Sequence, residues 1–212
     1  MRGLGPDAQR ISPSGLRTPA PQAVGPCTST PFASAIPPRR SFSMERGYRP
    51  TVDAKRVTDL IAKAQIGRPL VLVGIGGRGG AGKTTLALAI PGAQVVPTDA
   101  FWNGEEFDLA RLRREVLEPL LRGETARYAA YDWAARTPAG ERGVEPSGVV
   151  VIEGVCALHR MFRGAYHVRV WVEAPREVRL ARGIARDGEA ARVEWEEHWM
   201  PSEDRYVERD DP

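Results

Sequence analysis

The chain contains 212 residues, of which 42% are hydrophobic and 27% charged, and its formal net charge is +3. A chain of this length can bury a sizeable core in one domain. No run of about 18 apolar residues occurs, so the sequence predicts no transmembrane helix. Its two cysteines, Cys27 and Cys156, have neither a disulfide nor a metal-binding spacing, which fits a reducing cytoplasm. The small positive charge suits a protein that handles phosphates but does not favour nucleic-acid binding.

The composition changes sharply near residue 44. Residues 1–43 carry eight prolines, six serines, five arginines and a single acid, Asp7. Such a segment buries too little apolar surface to offset its ordering entropy, so we expect it to be disordered. Its arginines and serines are also compatible with an organelle transit peptide. Because its prolines oppose a long amphipathic helix, we favour a dispensable tail, followed by a globular domain over residues 44–212.

From residue 51 onwards the hydrophobic pattern alternates between helices and strands. The spacing of Val57, Leu60, Ile61 and Ala64 predicts a first helix. Further helices are predicted over residues 83–90, 109–120 and 176–187, and apolar runs predict strands over residues 69–75, 93–99, 148–154 and 166–173. This alternation implies an α/β fold in which a parallel sheet carries helices on both faces, as in the P-loop NTPases.

Residues 74–87, GIGGRGGAGKTTLA, contain the phosphate-binding pattern G-x-x-x-x-G-K-[ST]. The pattern lies between a predicted strand and a predicted helix, which disfavours the alternative of a mere glycine-rich turn. Its glycines allow backbone amides to face phosphate oxygens. Lys83 would reach the β- and γ-phosphates, and the Thr84 hydroxyl would ligate Mg²⁺. We therefore expect a nucleoside triphosphate to bind Gly77, Gly79, Gly80, Ala81, Gly82, Lys83, Thr84 and Thr85.

Two acids close predicted strands near this loop. Asp99 ends the strand in PTDAFW, which we expect to lie beside the P-loop strand, and Glu153 ends the strand in VVIEGV. At the carboxyl edge of a parallel sheet both carboxylates would lie beside the phosphates. One can help to hold Mg²⁺ while the other accepts a proton from an attacking hydroxyl. The alternative is that Asp99 only caps a helix and that Glu153 faces solvent.

The motifs together resemble those of uridine kinases and their nucleoside-kinase relatives, whereas the N-K-x-D motif of GTPases and the L-S-G-G-Q motif of ABC-type ATPases are absent. The resemblance rests on GGRGGAGKTTLA, TDAFW, YDWAART, VVIEGVCAL and RLARGIARD, in that family's order between about residues 69 and 206. It implies ATP and Mg²⁺ as cofactors, Asp99 as the catalytic base that also contacts the metal, and Glu153 as a second metal ligand. It also implies a hairpin whose Tyr131 and Trp133 pack against the nucleobase.

Each of the remaining candidate residues could have either a functional role or a purely structural one. Arg179, Arg182 and Arg186 share one face of a helix, as expected for a lid that closes over the triphosphate, with Arg179 and Arg182 stabilising the transition state. Solvated arginines on a surface helix are the alternative. Asp108 could bind the ribose hydroxyls or only cap the following helix. Tyr131 and Trp133 could equally anchor the hairpin in the core.

The sequence departs from the family pattern at three places. The segment after Asp99 is short, the lid has no extended Arg-Gly insertion, and a further strand near the adenine site would be expected beyond Asp211. We predict an ATP-dependent kinase that phosphorylates the 5′-hydroxyl of uridine or cytidine, with no nucleic-acid or membrane partner. A related kinase acting on pantothenate or a sugar phosphate, and a non-catalytic nucleotide-binding regulator, are the alternatives.

Overall fold

The computed structural model describes residues 54–212, so the tail expected at residues 1–43 lies outside the described residues. No helix within residues 54–212 is long and apolar enough to cross a membrane. The strands are β1 (Leu70–Gly77), β2 (Gln94–Pro97), β3 (Ala126–Asp132), β4 (Thr137–Val144), β5 (Gly148–Glu153) and β6 (Val168–Val172). The α-helices are α1 (Ala54–Gln65), α2 (Lys83–Ala89), α3 (Leu109–Leu112), α4 (Glu118–Leu121), α5 (Arg176–Asp187) and α6 (Met200–Asp210).

Four parallel strands form the central sheet in the order β2-β5-β1-β6. The predicted α/β class and parallel sheet are therefore confirmed. The expectation that the strand before Asp99 lies beside the P-loop strand is wrong, because β5 lies between β2 and β1. Val149 to Ile152 of β5 are all buried, whereas only Val96 of β2 is buried. A strand that is apolar on both faces is stabilised at the centre of a sheet, and the more polar β2 at its edge.

Each face of the sheet is covered by its own hydrophobic core. Alternate side chains of β1 and β5, such as Val73 and Val151, pack with Val57 and Ile61 of α1 and with Leu86 of α2. The other set of side chains packs against the helical segment 109–121, the β3–β4 hairpin and Tyr206 of α6. Helices therefore cover both faces, as the alternation of elements predicted.

The helical segment after Asp108 is continuous but irregular. Asp108 accepts a hydrogen bond from the Arg111 amide at 2.8 Å and so caps α3, as predicted. A π-helical turn, Arg113–Leu117, joins α3 to α4. The π-helical turn packs against β3, which pairs antiparallel with β4 as a separate hairpin. β3 also contacts the turn over Thr98–Phe101, which carries Asp99.

The chain ends in a helical segment that packs across the phosphate-binding loop. It comprises α5, a π-helical stretch Glu194–Trp199 and α6. Trp195 and Trp199 contact edge to face with ring centroids 4.9 Å apart, and with Met200 they form a third core. The two tryptophans therefore have a packing role. Cys156 is buried in the core of the sheet.

Candidate active site

The glycine-rich loop lies between the end of β1 at Gly77 and the start of α2 at Lys83, as the motif requires. Gly80 and Gly82 have positive φ angles of 74° and 106°, which favour glycine. A Cβ atom on Gly80 would lie only 2.5 Å from the Arg179 carbonyl oxygen. The loop is therefore held tightly against α5, and glycine is required there by contact as well as by conformation.

Lys83 is buried at the start of α2. Its Nζ atom donates to the Arg78 carbonyl oxygen across the loop at 3.0 Å. Burial lowers the pKa of Lys83, while the negative charges of Glu203, Glu153 and Asp99 oppose that shift. The Lys83 ammonium group therefore lies among the carboxylates of Glu203, Glu153 and Asp99 at the carboxyl edge of the sheet. A bound triphosphate would add further negative charge there.

Thr84 and Glu153 are joined directly by a hydrogen bond. The Thr84 hydroxyl donates to Glu153 Oε1 at 2.9 Å, and Glu153, the last residue of β5, is only 5% exposed. Burial raises the pKa of Glu153, and the nearby Asp99 carboxylate raises it further. Glu153 therefore does not face solvent, and Lys83 and the Thr84 hydrogen bond partly oppose the rise in its pKa.

Asp99 lies two residues beyond the end of β2, within a 3₁₀ turn over Thr98–Phe101, rather than on the strand itself. The residue is exposed to solvent, although protein atoms crowd its carboxyl group. Desolvation there raises the pKa of Asp99, and the charges of Lys83 and Arg186 partly oppose the rise. The turn is held against β5, because a Cβ on Gly154 would lie 1.8 Å from Thr98 Oγ1. Asp99 is thus close to Glu153 although the two lie 54 positions apart.

The oxygen atoms of Thr84, Asp99 and Glu153 suit Mg²⁺. This ion prefers oxygen ligands and is usually held by one or two carboxylates together with substrate phosphates. Within residues 54–212 no group of three or more His, Cys, Asp or Glu side chains could hold a metal on its own. The hydroxyl and the two partly desolvated carboxylates therefore fit a metal that is shared with a bound triphosphate.

An aromatic cluster adjoins the turn that carries Asp99. Trp102 caps this turn and stacks on Trp133, with ring centroids 5.9 Å apart. Trp133 contacts Tyr131 edge to face at 5.0 Å, and Trp102 contacts Phe107 likewise at 5.1 Å. Tyr131 and Trp133 are half-buried, whereas Trp102 is fully buried. Tyr131 and Trp133, which were predicted to bind the base, therefore lie together near the turn that carries Asp99. Trp102 and Phe107 complete this aromatic cluster, and neither was among the predicted base-binding residues.

The three lid arginines lie at different depths. Arg179 is buried, its Nη1 donating to Glu203 Oε2 at 3.2 Å and its Nε to the Ala174 carbonyl at 3.2 Å. The Arg182 guanidinium donates to the loop carbonyl of Gly80 at 3.1 Å. Arg186 is paired with Asp187 and lies 5.6 Å from the centre of the Trp195 ring. Arg182 therefore contacts the loop directly, and the charge of Arg186 acts on Lys83 and Asp99.

Sequence reasoning missed the acids of α6. Glu203 Oε1 accepts from the Gly79 amide at 2.8 Å, and Asp204 Oδ1 accepts from Arg78 Nε at 2.9 Å. These contacts join residues that are 124 and 126 positions apart. No local spacing could have indicated them, because acids near the start of a helix are commonplace.

A groove of about 490 Å³ lies away from this site. Neither the phosphate-binding loop nor Asp99 or Glu153 lines it. Its two arginines are paired with its two acids, Arg111 with Glu115 and Arg127 with Glu141. Its full lining is Arg111, Glu115, Arg127, Tyr128, Ala129, Pro138 and Glu141. The groove is therefore separate from the candidate site at the loop edge of the sheet.

The fold and this arrangement define a protein with the P-loop kinase fold. No family model matches the chain. Over 145 residues the chain is 30% identical to a uridine kinase of Deinococcus deserti. The aligned region covers 57% of this chain and 69% of that protein. The chain belongs to the uridine kinase-like P-loop kinase family.

The chain is also similar to two other proteins. Over 172 residues the chain is 29% identical to inorganic pyrophosphatase TTM2 of Arabidopsis thaliana, covering 74% of this chain but only 25% of that protein. The structure resembles that of a putative fructose transport system kinase from Silicibacter sp. TM1040, with a TM-score of 0.65 and 22% identity, over 76% of this chain and 96% of that one. The latter similarity concerns the fold.

Proposed function

We propose that this protein transfers the γ-phosphate of ATP to the 5′-hydroxyl of a pyrimidine nucleoside. The observation that carries the proposal is the joint placement of Asp99 beside Lys83 and the Thr84–Glu153 pair on one side and the aromatic cluster on the other. Lys83 and the Thr84–Glu153 pair are suited to bind a triphosphate, and the aromatic cluster is suited to bind a flat, uncharged base. The name of the Deinococcus deserti relative, a uridine kinase, supports the same acceptor.

Asp99 is the group best suited to take the acceptor proton. A nucleoside hydroxyl is a poor nucleophile at neutral pH, so a carboxylate within hydrogen-bond reach assists the transfer. The raised pKa of Asp99 makes its carboxylate a stronger base than an ordinary aspartate. Its accessibility leaves room for an acceptor to approach. Asp99 therefore serves as the general base in this proposal.

The remaining polar groups hold the phosphates. Lys83 would contact the β- and γ-phosphates, and the backbone amides of the loop would bind their oxygens. Thr84, Glu153 and Asp99 would hold Mg²⁺, which when bound neutralises charge on the β- and γ-phosphates. Arg182, on α5, would give up its contact with the Gly80 carbonyl and turn to the developing charge of the transferring group. Arg186 would add positive charge on the same side.

The aromatic cluster would bind the base. Tyr131 and Trp133 retain partly exposed ring surface, while Trp102 supports Trp133 from behind. Stacking needs no charge on the base, and it fits uracil and cytosine equally well. Asp108 caps α3 through Oδ1, so its ribose-binding role would require its other oxygen.

A substrate panel tests the proposal. ADP formation from ATP and Mg²⁺ is measured with uridine, cytidine, adenosine, guanosine, pantothenate and fructose 1-phosphate as acceptors. We expect ADP formation that depends on uridine or cytidine. Preference for pantothenate or the sugar phosphate would assign a different acceptor. ATP binding without turnover on any acceptor would favour a regulatory protein and would contradict the proposal.

A further inference from the structure

Two neighbouring acids of α6 contact the phosphate-binding loop. Glu203 accepts from the Gly79 amide at 2.8 Å, and Asp204 accepts from the Arg78 guanidinium at 2.9 Å. Arg78 also donates to Glu173, just beyond β6, at 2.7 Å. Asp204 and Glu173 are half-exposed, with side-chain exposures of 45% and 54%, whereas Glu203 is only 7% exposed as a residue. Of these acids only Glu203 is a buried charge.

The two oxygens of Glu203 join three elements. Oε1 contacts the loop through Gly79, and Oε2 contacts Arg179 of α5 at 3.2 Å. Arg179 is 5% exposed, and its second contact is the backbone carbonyl of Ala174. A buried charge left without its partner is strongly unfavourable. Glu203 and Arg179 therefore depend on each other, and their pairing fixes α5 and α6 relative to the loop.

Packing around this pair leaves little freedom for the loop to shift. A Cβ atom on Gly79 would lie 2.6 Å from Glu203 Oε1 and 3.0 Å from the Trp195 ring. A Cβ atom on Gly183 of α5 would lie 2.4 Å from the same ring. The loop and α5 thus approach the C-terminal helical segment so closely that a side chain at either glycine would force its neighbours to shift.

We propose that Glu203 is a positioning residue for triphosphate binding, a role that rests on the proposed function of the loop. Its carboxylate holds the Gly79 amide and, through Arg179, sets the position of α5. That helix carries Arg182, whose guanidinium contacts the loop at Gly80. Loss of the Glu203 charge leaves the buried Arg179 charge uncompensated, so α5 and the loop move apart and the amides lose their arrangement around the phosphates.

The direction in which ATP affinity changes distinguishes positioning by Glu203 from direct charge repulsion between Glu203 and the triphosphate. Glu203 is a negative charge close to where a triphosphate would bind, and it attracts Lys83. If charge repulsion alone mattered, neutralising Glu203 would tighten ATP binding. Positioning predicts the opposite, because the loop and the lid helix lose their common anchor.

The test measures equilibrium binding of a fluorescent ATP analogue to the full chain carrying Glu203→Gln, beside the KM for the acceptor. We expect binding to weaken at least about tenfold, with a much smaller change in the acceptor KM. Glu208→Gln is the matched control, since Glu208 is an exposed acid on the same helix, and we expect it to bind like the wild type. Unchanged or tighter binding by Glu203→Gln would overturn the proposal.

Three further variants, Glu203→Asp, Arg179→Met and the double variant, keep the outcome decisive if Glu203→Gln folds poorly. Glu203→Asp retains the charge but is too short to reach both partners, so weaker ATP binding is again expected. Arg179→Met combined with Glu203→Gln removes both buried charges, and its ATP affinity should fall by less than the product of the two single losses. Wild-type affinity in Glu203→Asp, or fully multiplicative losses, would contradict the coupling. Wild-type protein that binds the analogue but phosphorylates no nucleoside would overturn the acceptor assignment alone, leaving these titrations valid.

Discussion

At the scale of single residues, Asp99 combines solvent access with a raised pKa. Desolvation of the carboxyl group raises that pKa, Lys83 and Arg186 oppose the rise, and the turn that carries Asp99 ends at Trp102 of the aromatic cluster. We predict that Asp99→Asn still binds nucleotide but loses at least about a hundredfold in kcat on uridine, since the amide cannot accept the proton. Steady-state phosphorylation and nucleotide titration of the same variant measure the two effects. Asp59→Asn, on the exposed side of α1, is the control, and near-wild-type turnover of Asp99→Asn would exclude it as the base.

Trp133 allows a second prediction at this scale, on the acceptor rather than the phosphate donor. Trp133→Ala removes the ring that stacks on Trp102 and contacts Tyr131. We expect the KM for uridine to rise about tenfold or more, because the stacking of a base on an aromatic ring contributes roughly 1–3 kcal/mol. The KM for ATP should change little, and Trp133→Phe should retain most of the affinity for uridine. An equal rise in both KM values would indicate a packing role for the hairpin alone.

Motif reasoning located the residues whose roles depend on local spacing. Lys83, Thr84 and Glu153 follow from the loop pattern and from an apolar strand that ends in an acid, and the structure brings all three together. The Asp108 cap was also predictable, because capping acts over three residues. Glu203 was not, since its contact with Gly79 spans 124 positions and depends on how α6 crosses the loop.

At the scale of elements, α5 has the predicted bounds, but its arginines are not equivalent. Helical spacing correctly put Arg179 and Arg182 on the side facing the loop. It could not show that Arg179 is buried against Glu203, because that depends on the partner helix. Arg182 remains the residue best placed to act on the transferring phosphate.

We therefore predict that Arg182→Ala lowers kcat by at least about tenfold and weakens ATP binding far less, as expected of a group that acts on developing charge. Steady-state kinetics together with nucleotide titration separate the two quantities. Arg176→Ala, at the exposed start of the same helix, should behave like the wild type. Equal losses in affinity and rate would mean that Arg182 contributes only to ground-state binding.

The strand order illustrates a limit of local reasoning at this scale. Strands that follow each other in sequence are neighbours more often than not, which favoured β2 beside β1. The long apolar run of β5 displaces β2 to the edge, where Gln94 can bond the backbone of the loop before β5. Asp99 still reaches the site, because its 3₁₀ turn curves back against Gly154.

At the scale of the whole molecule, His159 and Asp210 join the segment after β5 to the end of α6. Both are buried, with His159 Nε2 3.4 Å from Asp210 Oδ1. Burial lowers the pKa of His159, and the Asp210 charge opposes that shift while Arg160, Arg209 and Arg163 reinforce it. Since the folded-state pKa lies below the unfolded value near 6.5, the unfolded chain takes up the proton first as pH falls.

The free energy of unfolding should therefore decrease as pH falls below about 6.5. We predict that His159→Gln flattens this dependence, even if it lowers stability overall. Urea unfolding at several pH values between about 7.5 and 5 measures the slope. His198→Gln, which changes an exposed histidine, should leave the slope unchanged. The same slope in His159→Gln and in the wild type would show that another group carries it.

The central claim concerns the fate of the γ-phosphate. Phosphorus NMR of a reaction containing the wild-type protein, ATP, Mg²⁺ and uridine follows every phosphorus species at once. The account predicts ADP and a uridine 5′-phosphate monoester in equal amounts, with little inorganic phosphate, and no monoester when Asp99 is replaced by Asn. ADP accompanied by inorganic phosphate and no phosphorylated nucleoside would contradict it.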